Sequence, residues 1–85
     1  MRVMFSEDEV QEVKSVKVWT DRNENNKLED VTLSFNIDGD KELYFDFDPA
    51  SLDEGSYDRA KAIIRELTEK GYADLSKDPI KKISH

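Results

Sequence analysis

The sequence predicts an α+β fold: a three-stranded antiparallel β-meander, four-stranded if the N-terminal RVMF joins it, with one C-terminal helix packed on one face. Three observations point there. VTLSFNI alternates Val31, Leu33, Phe35 and Ile37 strictly with Thr32, Ser34 and Asn36, which is the period of a half-buried strand. ELYFDFD does the same with Leu43, Phe45 and Phe47. Then Tyr57, Ala60, Ile63, Ile64 and Leu67 fall on one arc at about 100° per residue, the spacing of an amphipathic helix.

The elements follow in order. VKSVKVWT, at 13–20, is rich in β-branched residues and reads as a strand, with Val16 and Val18 on one face, Lys17 on the other and Trp19 on the polar side. The polar DRNENNK leads to the strand at 31–37, and DGDK supplies a hairpin connection to the strand at 42–48. Pro49 cannot continue a ladder. Ser51 with Glu54 has capping-box spacing, and Ser56 competes as N-cap of a helix expected over 57–70 and ended by Gly71. Beyond it, Tyr72, Leu75 and Ile80 are the apolar anchors of an extended tail. RVMF is a candidate strand, while EDEVQEV fits a helical turn or a strand extension equally.

At 85 residues the chain is expected to make one domain over 1–85, whose core is built from Leu33, Phe35, Phe45, Phe47, Ile63, Ile64 and Leu67. With no cysteine, its stability must come from packing. No secretory leader pattern and no long apolar run are present, so a cytoplasmic protein without membrane contact is expected.

Charge carries most of the functional information. The chain has 20 acidic and 13 basic residues, a net charge of −7, which disfavours direct nucleic-acid binding. Residues 38–58 hold 8 acids against 1 base, and that segment alone matches the whole net charge. The candidate partner-binding residues are therefore Asp38, Asp40, Glu42, Tyr44, Asp46, Asp48, Asp53, Glu54 and Asp58. Asp40, Glu42, Asp46 and Asp48 are expected to project from one face of the third strand, with Tyr44 among them as an aromatic anchor.

Two motifs suggest other chemistry. DRNENNKLEDVT sets Asp21, Asn23, Asn25 and Leu28 at the positions of a calcium-binding EF-hand loop, and Asn26 can take the left-handed backbone usually given to Gly. Its twelfth position is Thr32, not Glu, and its flanks read as strands, so a hairpin connection is favoured. LYFDFDPASL resembles the nucleophile strand of haloacid dehalogenase-like phosphatases over ten or so residues. Those enzymes need a large α/β domain that 85 residues cannot hold, and Ala50 departs from the motif. The sole histidine is His85, at the end of the chain, which leaves the hydroxyls without an obvious general base.

The expected function is that of a non-enzymatic acidic binding protein without cofactor or metal. It would act as an inhibitor or decoy, docking its acidic sheet face on a basic surface of a protein partner, such as a nucleic-acid-handling enzyme. Small phage-encoded counter-defence inhibitors are of this general type. The alternatives are a calcium-stabilised module using Asp21, Asn23 and Asn25 or the group Asp46, Asp48 and Glu54, and a homodimer or larger assembly joined through the open sheet.

Overall fold

A computed structural model describes residues 1–38, 41–78 and 80–82. Gly39, Asp40, Pro79 and His85 lie outside the described residues. The elements are β1 (Arg2–Ser6), β2 (Glu9–Glu12), β3 (Ser15–Arg22), β4 (Leu28–Asp38), β5 (Lys41–Phe47), a single 3-10 turn (Pro49–Ser51), α1 (Glu54–Lys70), β6 (Tyr72–Asp74) and β7 (Ile80–Lys82). They form a four-stranded sheet in the order β3-β4-β5-β7 and a three-stranded sheet in the order β2-β1-β6. The predicted meander is β3-β4-β5, antiparallel throughout, with α1 on its apolar side.

Alternation on β4 places Val31, Leu33 and Phe35 in the core, facing Phe45 and Phe47 from β5. Ala60, Ile63 and Leu67 of α1 close over them, as their shared helical face requires. Ile64 is only half-buried, at the margin of that arc. The core also takes Val3, Val13, Ala73 and Leu75 from the two ends of the chain.

RVMF is indeed a strand, but it joins the second sheet. β1 pairs antiparallel with β2 and parallel with β6, with Val3 opposite Ala73. Phe5 fastens this small sheet to the large one: its ring stacks on Phe45 at 4.6 Å and meets Phe35 edge-on at 5.3 Å. The expected extended tail is in fact two short strands, β6 on β1 and β7 on β5. Burial of Ala73 and Leu75 supplies the reason for β6, since their backbone groups then need partners, and Leu75 N–H donates to the Met4 carbonyl at 2.8 Å.

Helix α1 starts three residues before the expected position. Its N-cap is neither Ser51 nor Ser56 but Asp53, whose carboxylate accepts from the Ser56 backbone N–H at 2.9 Å. The Ser56 hydroxyl bonds the Ser51 carbonyl and is buried beneath the turn. At the other end Gly71 adopts the left-handed conformation (φ 65°) and returns its N–H to the Leu67 carbonyl at 3.0 Å. Among the described residues no helix is long and apolar enough to cross a membrane.

Candidate functional site

The connection between β3 and β4 is short. DRNENNKLEDVT is mostly strand, and only Asn23–Lys27 turns. Asn23 Oδ1 accepts from the N–H groups of Asn25 (2.9 Å) and Lys27 (3.0 Å), an Asx turn that engages the oxygen a calcium loop would direct at its ion. Asn26 takes φ 60°, filling the left-handed position. Among the described residues no group of three or more His, Cys, Asp or Glu side chains is placed to hold a metal ion.

The acidic residues of 38–58 are spread over several environments. Asp38 is exposed at the end of β4, 3.8 Å from Lys14 Nζ. Glu42, Tyr44 and Asp46 share one face of β5, as period two requires. Asp48, expected on the same face, lies past the strand end and accepts from the Ala50 N–H at 3.0 Å, because Pro49 opens a turn there. Asp53 caps α1, Glu54 pairs with Arg22 at 3.0 Å, and Asp58 pairs with Lys61 at 3.6 Å. Asp40 lies outside the described residues. An open cleft of about 310 Å³ lies between the hairpin loop (Asn26, Lys27, Leu28) and the start of α1 (Leu52, Asp53, Glu54), and both its carboxylates are engaged in these contacts.

What the fold brings together is the polar face of the four-stranded sheet. Register sets Trp19 opposite Thr32, Thr32 opposite Asp46, and Asp46 opposite Lys81, a row across all four strands. The next row is Lys17, Ser34 and Tyr44, and the one beyond is Ser15, Asn36 and Glu42. Thr32 and Ser34 are 8 % and 3 % exposed although they point away from the core. They are short side chains, and the register sets each between longer ones, Thr32 between Trp19 and Asp46 and Ser34 between Lys17 and Tyr44. Trp19 is 57 % exposed.

Three aspartates crowd one end of this face. Asp21 is directly opposite Asp30, an unfavourable cross-strand pair of like charges. Asp30 Oδ2 lies 3.2 Å from the Thr32 hydroxyl oxygen, and that same hydroxyl bonds Asp46. A hydroxyl has one proton and can donate to only one of them. Burial, and after it the Asp46 charge, hold the Asp30 carboxyl above the usual carboxylate range. On β5 the Tyr44 hydroxyl donates to Glu42, and that bond raises the phenol above its ordinary value.

Chemically the face offers carboxylate acceptors around two aromatic side chains, the inventory for receiving ammonium, guanidinium and N–H groups. Asp30 and Thr32 were not among the expected site residues. Period two alone places both on the polar side of β4, but only the β4–β5 register shows that Asp46 meets them. No family model, curated protein or solved structure matches the chain.

Proposed function

We propose that the protein is a non-enzymatic binder that docks the polar face of its four-stranded sheet on a basic surface of a protein partner. The observation that carries this reading is the convergence of Asp30 and Asp46 on one hydroxyl. Holding two carboxylates together costs stability in the free chain, and a partner's cation between them removes that cost. Glu42 and Tyr44 extend the surface, the aromatic ring giving contact area at low entropic cost.

Alternate positions on a strand are roughly 6.7 Å apart, about twice the axial rise per phosphate of one DNA strand. That spacing supports a partner whose basic surface handles nucleic acid, with this chain as a competitive decoy in the cytoplasm. The experiment is competition. Proteins captured on the immobilised chain from a lysate at low salt, and released at high salt, are assayed for binding to a labelled DNA or RNA oligonucleotide. The chain should displace the oligonucleotide; simultaneous binding of both would contradict the decoy mechanism.

A further inference from the structure

Among the described residues strand β3 ends the four-stranded sheet and bonds to β4 on one side only. It has eight residues, whereas the sheet ends β2 and β6 have four and three, and β7 has three among the described residues. A long edge is a template for another strand, and short ones are not. Lys17, Trp19 and Asp21 stand along this edge on the polar face, all exposed. Among the described residues neither Lys17 nor Asp21 has an ion-pair partner. They cannot pair with each other, since four residues of extended strand separate them by about 13 Å.

We propose that two copies of this chain pair antiparallel through β3 about a two-fold axis at Trp19, joining their sheets edge to edge. In that register Trp19 faces the partner's Trp19, and Lys17 faces the partner's Asp21. Asp21 in turn faces the partner's Lys17. Both charges that are unpaired in one copy are thus paired, in two symmetry-related pairs, by a single symmetry operation, the self-complementarity that a two-fold interface requires. Neighbouring registers lose this. A slip of one residue sets the polar face of one copy against the apolar face of the other, and a slip of two leaves Lys17 opposite Trp19 or Asn23. The two polar faces then run on as one continuous surface. The pairing is independent of the docking reading, because it uses the sheet edge and neither Glu42 nor Asp46.

Sedimentation equilibrium on the full chain, its Lys17→Glu and Asp21→Lys variants, and their equimolar mixture tests it. Both positions are exposed, so each variant should keep the wild-type circular dichroism. The wild type is expected at twice the 9.9 kDa chain mass. Each variant alone sets like charges opposite each other and should dissociate on the order of tenfold more readily. Their mixture restores both opposite-charge pairs and should recover the dimer. Trp19, the sole tryptophan, should shift its emission to the blue as the dimer forms. A wild type that stays at 9.9 kDa or assembles beyond the dimer, variants that associate like the wild type, or a mixture that stays monomeric would each overturn the proposal.

Discussion

Asp30 and Asp46 converge on a single hydroxyl, that of Thr32. The folded-state value of Asp30 lies above its ordinary 3.8, so the folded chain holds that proton more tightly than the unfolded chain does. Stability therefore falls as pH rises through the window between 3.8 and the raised value, and the deficit is fully present at neutral pH. Asp30→Asn should raise the melting temperature at pH 7 by roughly 1–3 °C, a few tenths of a kcal/mol. The gain should shrink as pH falls toward the carboxylate range. Equal gains at both pH values, followed by thermal denaturation, would show that the charge is not the cause.

In the hairpin between β3 and β4, Asn26 alone among the described non-glycine residues has a positive φ. Asn26→Ala should cost about 1 kcal/mol, because a Cβ-bearing side chain without a local hydrogen bond is disfavoured there, whereas Asn26→Gly should be tolerated. With Asn23 Oδ1 already accepting two backbone N–H groups, millimolar calcium should leave the melting temperature where chelator leaves it.

At the start of α1, Asp53→Ala should cost about 1 kcal/mol, measured by urea denaturation, through loss of the N-cap bond to Ser56. Ser51→Ala should cost less, since Ser51 contributes its backbone carbonyl to the cap and a substitution leaves that in place.

Arg59 clamps the segment between β6 and β7 to the helix. Its guanidinium holds Asp78 through two bonds of 2.7 and 2.8 Å and Glu66 through a third of 3.0 Å, and these carboxylates push it above its usual range. A lysine cannot reproduce the fork. Arg59→Lys should destabilise by about 1 kcal/mol, and amide exchange should quicken first in β6 and β7.

Much of the fold is legible in local pattern. β4 from Val31 onward, β5 and α1 each carry an unbroken apolar period, and Gly71 marks the helix end by its tolerance of left-handed backbone. The small sheet is not legible, because Val3 and Ala73 meet across nearly the whole chain and neither Arg2–Ser6 nor Tyr72–Asp74 is long enough to show a period. The candidate site divides in the same way. Glu42, Tyr44 and Asp46 follow from alternation within β5, but Asp48 is diverted by the turn at Pro49, and Asp53 by the orphan N–H groups of α1. Asp30 enters through register, a property of two strands that neither shows alone.

The claim that the polar sheet face docks on a basic surface is tested most directly by measuring the affinity of the captured partner against two charge-matched double variants at low and high salt. Glu42→Gln with Asp46→Asn removes two charges from the face, while Glu24→Gln with Glu69→Gln removes two exposed charges elsewhere. The first pair should weaken binding by at least about tenfold at low salt, with the difference closing as salt rises, and the second should change it little. Equal effects from the two pairs, or an affinity indifferent to salt, would contradict the claim.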